Sequence, residues 1–164
     1  MTVMVFFHAF AHSIKLPKKN AIFQLNRIGM DIAIIYMLFL NLLVSIPSFM
    51  QYVRTGGGVA EQLNLFFKII YYFIFHYLPL TIMVFVLLSI IAGIGTLLAK
   101  GMDRKLKFAI LWKMTVFTTT IPFLLYALIG IFFSIQDRFL FLFCAYSLLF
   151  LFFIISVYPK RRKK

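Results

Sequence analysis

The chain has 164 residues, of which 63% are hydrophobic and 19% aromatic, and its mean hydropathy is +1.01. A soluble domain averages roughly 45–50% apolar residues and, at this size, has too much surface to bury such an excess, so the composition excludes an ordinary soluble domain. The net charge of +13 would suggest nucleic acid in a soluble protein, but these charges lie between and beyond apolar runs. We therefore expect anionic lipid head groups as partners and no nucleic acid.

Residues 1–30 are predicted to be a cytoplasmic amphipathic segment. Apolar side chains recur there at mixed three- and four-residue spacing, which favours a helix lying on the inner membrane face. Pro17 should end that helix, because proline cannot continue the hydrogen-bond ladder. The apolar positions are Val3, Phe6, Phe7, Phe10 and Ile14.

Four later stretches are long and apolar enough to cross a bilayer, which needs about 20 residues at 1.5 Å each. We therefore predict an all-α fold, an integral membrane bundle of four transmembrane helices with interfacial amphipathic helices, over residues 31–158. The four spans are about 32–49, 79–99, 114–134 and 139–158.

Residues 63–75 are also apolar but are short for a span. Asn64, Lys68 and Tyr72 follow each other at four-residue spacing, so they share one face of a helix. This pattern is typical of a helix in the outer interface that leads into the second span. A fifth span here would place the basic loop at 100–107 and the basic tail outside, against the positive-inside rule.

The basic residues set the orientation of the spans. The two segments predicted to lie outside contribute only Arg54 and Arg138, whereas the three other segments hold most of the lysine and arginine. The positive-inside rule then places both termini in the cytoplasm, with residues 159–164 as a basic tail that contacts lipid head groups. The basic residues inside are Lys15, Lys18, Lys19 and Arg27, then Lys100, Arg104, Lys105 and Lys107, then Lys160, Arg161, Arg162, Lys163 and Lys164.

Two charged residues stand at the inner ends of spans. Lys113, next to Trp112, is interpreted as a lysine whose stem lies along the helix and whose ammonium reaches the inner head groups. Asp31 is expected to pair with Arg27, four residues earlier, rather than to act as a proton-coupling acid.

A polar run in the third span is the first candidate site. Pro122 should kink this helix, and the threonine hydroxyls can bond to the carbonyls that the kink sets free. The functional interpretation is a hinge or a polar path for a small substrate, and the alternative is a kink that only shapes packing. The candidate residues are Thr115, Thr118, Thr119, Thr120 and Pro122.

Asn41, near the middle of the first span, is the second candidate. An amide in hydrocarbon needs hydrogen-bond partners, which a facing threonine could supply. It is therefore expected to hold helices together, with contact to a substrate or a partner as the alternative.

Small residues recur at four-residue spacing in the second span, at Ser89 and Gly93 and again at Gly95 and Ala99. Such pairs let helices approach closely. The sequence leaves open whether this face packs inside the bundle or against a second copy of the chain.

The pattern predicts no catalytic residues, no metal site and no cofactor. His8 and His12 lie one helical turn apart, but no nearby acid or cysteine completes a metal site, and Cys144 is the only cysteine. The spans hold no acid pair, and the chain has no supported Ser–His–Asp order and no phosphate loop. We therefore expect a protein that is not an enzyme.

Two stretches of the chain resemble a known group of proteins. Leu16-Pro17-Lys18 followed by a span that ends Ser45-Ile46-Pro47, and the run from Phe108 to Tyr126, are similar to a bacterial integral membrane family often labelled maltodextrin utilisation protein. The third span also looks faintly like the Yip1-type membrane fold. The resemblance implies a bacterial plasma-membrane location and names no catalytic residue.

These observations give two expectations for function. The first is a non-enzymatic accessory or scaffold protein of the bacterial plasma membrane, with a membrane-protein partner or a second copy of itself. The second is a small transporter or transporter subunit, linked to sugar uptake, which would use Asn41 and the threonine run.

Overall fold

The computed structural model describes residues 2–55, 64–104, 106–132 and 138–159, and these residues form an all-helical fold. The helices are α1 (Thr2–Ile14), α2 (Lys19–Arg27), α3 (Met30–Thr55), α4 (Leu65–Tyr72), a π-helical turn (Phe73–Tyr77), α5 (Leu78–Gly101), α6 (Phe108–Thr118), α7 (Thr120–Phe132) and α8 (Arg138–Val157). The predicted all-α class is thereby confirmed.

Three helical segments of the described residues are long and apolar enough to cross a membrane: Met30–Arg54, Leu65–Gly101 and Phe108–Phe132. Two shorter apolar helices, Met4–Ile14 and Leu142–Val157, accompany them. Large apolar side chains face outwards along these segments, such as Phe132 at 79% and Leu97 at 67% exposed. Soluble monomeric proteins rarely expose apolar surface of this extent, so the helices suggest a membrane protein.

The second spanning segment is longer than the sequence pattern predicted. Residues 63–75 were expected to form a separate interfacial helix, but α4 continues through the π-helical turn into α5, giving 37 helical residues from Leu65 to Gly101. The helix begins where the Asn64 side chain accepts a hydrogen bond from the Phe67 amide at 3.1 Å. Pro79 lies in the first turn of α5, where its missing N–H removes little.

Two sets of contacts form the bundle. α3 packs along α6 and α7, and α5 packs between α6 and α8. The largest side chains of the core, Trp112, Tyr36 and Phe117, are almost completely buried where these helices meet. The Trp112 indole N–H donates to the Ser89 hydroxyl of α5 at 3.2 Å, so the one tryptophan joins α6 to α5.

Of the two glycines in the small-residue pairs of α5, Gly95 packs inside the bundle. Gly95 is buried, and a Cβ placed on it would collide with the Leu151 side chain of α8. Gly93, two residues earlier, has no such neighbour within 4 Å. Gly95 therefore lets α5 and α8 approach closely, whereas Gly93 lies on a different face of the same helix.

The N-terminal segment forms two helices that pack onto the bundle. α1 ends at Ile14, before Pro17, and the Phe6 ring contacts the rings of Tyr36 and Phe39 on α3, with centroids 5.2 and 5.1 Å apart. On α2 the buried residues are Ala21, Ile22 and Leu25. Both helices therefore contribute to the core in addition to presenting an apolar face.

Two predicted roles of charged residues were wrong. The Lys113 ammonium donates to the main-chain carbonyls of Asn26 and Ile28 at the end of α2, rather than extending to head groups. Arg27 ends α2 and Asp31 lies in the first turn of α3, so the two do not share a helix face. The Asp31 carboxylate lies beside Gly29 instead.

Candidate functional site

The threonine run lies where the predicted third span is interrupted. α6 ends at Thr118 and α7 begins at Thr120, so Thr119 stands between two helices, three residues before Pro122. Proline lacks an N–H and clashes with the carbonyl four residues earlier, which explains the break. All five candidate residues of this run are buried.

Each threonine hydroxyl bonds to a carbonyl of its own chain segment. Thr115 and Thr118 donate to carbonyls four residues earlier at 2.8 Å, and Thr119 and Thr120 donate to carbonyls three residues earlier at 2.7 Å. The hydroxyls are thus used locally, and none of the four residues is more than 1% exposed. This arrangement stabilises a kink and leaves no polar surface open to solvent at these residues.

One threonine also contacts another helix. The Tyr36 phenol of α3 and the Thr120 hydroxyl of α7 lie 2.8 Å apart, and both residues are completely buried. The sequence analysis missed Tyr36, because an aromatic residue in an apolar span gives no signal of the partner it will meet.

Asn41 bonds to α5 and not to the threonine run. Its amide nitrogen donates to the Thr81 hydroxyl at 2.7 Å, and Thr81 donates in turn to the Tyr77 carbonyl at 2.8 Å. The Asn41 carbonyl oxygen is buried and has no hydrogen-bond partner among the described residues. A facing threonine therefore gives the amide nitrogen of Asn41 a hydrogen-bond partner, as predicted, but not the amide oxygen. The bond links α3 to the start of α5.

Asn41 begins a polar stripe on α3, which we define as Asn41, Ser45, Ser48 and Tyr52. The spacing of four, three and four residues places these side chains on one helical face. That face is directed towards α4, since the Tyr72 hydroxyl donates to the Ser45 carbonyl at 2.8 Å and the Tyr72 ring packs on Phe49 at 5.0 Å. The sequence pattern contained this stripe, but only Asn41 was identified from it.

The π-helical turn lies opposite the polar stripe. Two pairs of rings stack across it, Tyr72 with His76 at 4.6 Å and Phe73 with Tyr77 at 4.9 Å. π turns inside α-helices are rare and frequently mark functional sites. Here the turn changes the direction in which the aromatic residues of α4 project relative to those of α5.

Between the polar stripe and this turn lies a cavity of about 520 Å³, which we call the α3–α4 cavity. Its volume falls in the range of about 300–1,000 Å³ that is usual for small-molecule sites. It is lined by Ser48, Gln51, Tyr52, Tyr71, Tyr72, Phe75 and His76. Tyr72 was predicted to lie in an interfacial helix, but the three lining residues from α3 were not predicted from the sequence.

The α3–α4 cavity is lined by aromatic rings, hydroxyl and amide groups and one imidazole. Among the described residues that line it, none is an acid, a lysine, an arginine or a cysteine. The hydroxyl of Tyr52 is buried without a hydrogen-bond partner among the described residues, whereas the hydroxyl of Tyr72 is held by Ser45. The cavity therefore offers aromatic rings, several neutral hydrogen-bonding groups and the His76 imidazole.

Two further predicted features lie away from the cavity. The His8 and His12 rings stack on α1 with centroids 5.2 Å apart, and within the described part of the chain no third ligand joins them to form a metal site. The basic tail, Lys160, Arg161, Arg162, Lys163 and Lys164, lies outside the described residues.

The comparison with protein families finds one match. A family described as "Protein of unknown function (DUF1189)" matches residues 58–155, which include α4 to α7 and most of α8. The match bears neither the maltodextrin nor the Yip1 name, so those two resemblances stay predictions. No curated protein and no solved structure matches the chain.

Proposed function

The chain belongs to the DUF1189 family of proteins of unknown function, and we propose that it acts as a non-enzymatic accessory or scaffold protein of the bacterial plasma membrane. The observation that carries this proposal is the closed packing inside the bundle, where Tyr36 and Thr120 bond to each other with no exposed surface. A closed interior suits a protein that supports or positions others better than one that passes a solute.

The proposed topology has four spans and both termini in the cytoplasm. Three segments have the necessary length, and the 20 residues of α8 extend about 30 Å, which is enough for a fourth. With four spans, the basic loop at 100–107 and the tail at 159–164 both face the cytoplasm. Reporters that work only in the cytosol, fused to each terminus, test this, and a silent reporter at either end would disprove it.

Apolar surface on α4 supports the accessory role. Leu65 and Phe66 are 60% and 66% exposed, and the described ring contacts of α4 with α3 are made by Tyr71 and Tyr72, at the other end of the helix. Lipid or another membrane protein must cover such residues. Purification in mild detergent followed by mass spectrometry should recover a reproducible protein or lipid partner. Recovery of the chain alone, in repeated preparations, would contradict the proposal.

A small transporter or transporter subunit, linked to sugar uptake, is the second candidate, and the α3–α4 cavity is the observation in its favour. Transport would need water to reach the threonine run. On a Cys144→Ser background, Thr118→Cys and Thr120→Cys should resist small aqueous thiol reagents if the interior is dry, whereas Ser48→Cys in the cavity should react. Reaction of all three cysteines would favour the transporter instead.

A further inference from the structure

The α3–α4 cavity has a lining that selects against most charged ligands. Its described residues provide no lysine or arginine to balance an anion and no carboxylate to bind a small inorganic cation, and His76 is the one lining side chain that can become a cation near neutral pH. What they provide is aromatic rings, whose faces carry partial negative charge. Such faces attract organic cations that are weakly hydrated.

The rings stand in two orientations. Tyr52 and Tyr71 are parallel within 6°, with centroids 6.2 Å apart, whereas the Tyr72 ring is turned 44° from that of Tyr52 at 5.7 Å. Rings at an angle form a corner that can contact one rounded group from two sides. The bond from Tyr72 to Ser45 fixes one wall of this corner before any ligand binds, which lowers the entropy lost on binding.

The proposed topology puts the cavity at the level of the lipid head groups. Tyr52 stands about three turns beyond Asn41, which is about 16 Å along α3. Asn41 is near the middle of the predicted first span, and half of the hydrocarbon thickness is about 15 Å. A ligand can therefore reach the cavity from the aqueous side or as part of a lipid.

We propose that the α3–α4 cavity binds an organic ammonium group, which the rings of Tyr52, Tyr71 and Tyr72 hold by cation–π attraction. The Tyr52 hydroxyl, which has no hydrogen-bond partner within the described part of the chain, offers a hydrogen bond to an oxygen-bearing or N–H-bearing part of the same ligand. The group comes from a phospholipid head group or from a soluble quaternary ammonium compound. This site goes beyond the accessory role and does not depend on it.

The first test separates charge from shape. The full chain is purified in a polyoxyethylene detergent, which contains neither sugar nor ammonium, and titrated calorimetrically with choline and with 3,3-dimethylbutan-1-ol, its uncharged isostere. Choline should bind at least about tenfold more tightly, because only the cation is attracted to the ring faces. Equal affinity for the two compounds, or no binding of choline, would overturn the proposal.

The second test separates the ring from the hydroxyl. Tyr71 is 37% exposed and packs mainly on Phe75, so its replacement leaves the core intact. Tyr71→Leu should weaken choline binding about fivefold to thirtyfold, while Tyr71→Phe should stay within about threefold. Phe67→Leu, at an exposed position of α4 outside the cavity, is the matched control and should change nothing. If Tyr71→Leu unfolds, Phe75→Leu replaces it, and an affinity unchanged by loss of a lining ring contradicts the proposal.

The source of the ammonium is decided in nanodiscs. If a lipid head group is the ligand, soluble choline should bind in phosphatidylglycerol nanodiscs and be excluded in phosphatidylcholine nanodiscs. If a soluble compound is the ligand, choline should bind equally in both. Failure to bind in both nanodiscs would count against the site itself, whatever the outcome of the partner search.

Discussion

The ammonium of Lys113 lies 2.7 Å from the main-chain carbonyl oxygen of Ile28, and it donates to the carbonyl of Asn26 at 2.9 Å as well. These carbonyls lie at the end of α2, where no further turn of helix supplies donors. A cation is favourable there because it also faces the negative end of the helix dipole. The Lys113 side chain of α6 therefore joins the end of α2 to the bundle.

We predict that Lys113→Met loosens α2. Methionine keeps an apolar stem of similar size but has no donor, so the two carbonyls lose bonds worth about 1.5–3 kcal/mol together. Hydrogen exchange at residues 19–27 should rise while exchange in α5 stays unchanged. Lys107→Met, at an exposed lysine just before α6, is the control. Equal exchange in both variants would show that the contact does not hold α2.

A double-mutant cycle tests the bond between Tyr36 and Thr120. Tyr36→Phe and Thr120→Val each remove one partner, and we expect a coupling of about 0.5–1.5 kcal/mol in the free energy of unfolding. Thr118→Val supplies the comparison, because Thr118 donates to the Met114 carbonyl. Its effect should add to that of Tyr36→Phe within about 0.5 kcal/mol. Equal coupling in both cycles would refute a specific bond.

Close packing of α5 on α8 predicts different effects at two neighbouring glycines. Gly95→Leu should destabilise the chain by about 1–3 kcal/mol or more, because its side chain has to displace Leu151, which is itself completely buried. Gly93→Leu, with no neighbour within 4 Å, should change the unfolding temperature in detergent very little. A larger loss at Gly93 than at Gly95 would instead indicate a contact between copies of the chain at that face.

The histidine pair of α1 predicts a dependence on pH. Burial lowers the pKa of His12 below its ordinary value of 6.5, and the neighbouring charges of His8 and Lys15 lower it further. Because the folded state then binds the proton less well than the unfolded state, the docking of α1 should weaken as the pH falls below about 6.5. His8→Gln should raise the pKa of His12 when measured by NMR titration. An unchanged pKa would show that the two rings do not interact electrostatically.

The sequence predicted the helices better than it predicted their contacts. Apolar runs and Pro17 located α1 and α3 because these signals are local to each segment. The junction of α4 with α5 was missed, since Asn64, Lys68 and Tyr72 gave residues 63–75 the appearance of a separate amphipathic helix. A π turn has no recognised sequence signature, so hydropathy alone did not reveal the continuous helix.

In the candidate site, too, residues with an unusual local pattern were predicted and residues that depend on contacts between helices were not. Asn41 was identified because an amide in an apolar span is unusual, but Ser45, Ser48 and Tyr52 were passed over, since serine and tyrosine are common in membrane helices. Their importance depends on α4 returning alongside α3, which is a contact between segments separated by residues 56–63. The threonine run, in contrast, was expected to have local hydroxyl bonds, and in the structure all four hydroxyls donate to carbonyls of α6.

By itself, the sequence determined that this chain is apolar and helical, and it located the proline and glycine positions where helices bend or approach. Hydropathy and periodicity suffice for this because each depends on residues a few positions apart. Only the tertiary structure decided that Tyr72 bonds to Ser45, that Lys113 caps α2, and that aromatic rings line an open cavity. Those relationships depend on how each helix is rotated about its axis, which is set by packing between distant segments and not by the order of residues within one segment.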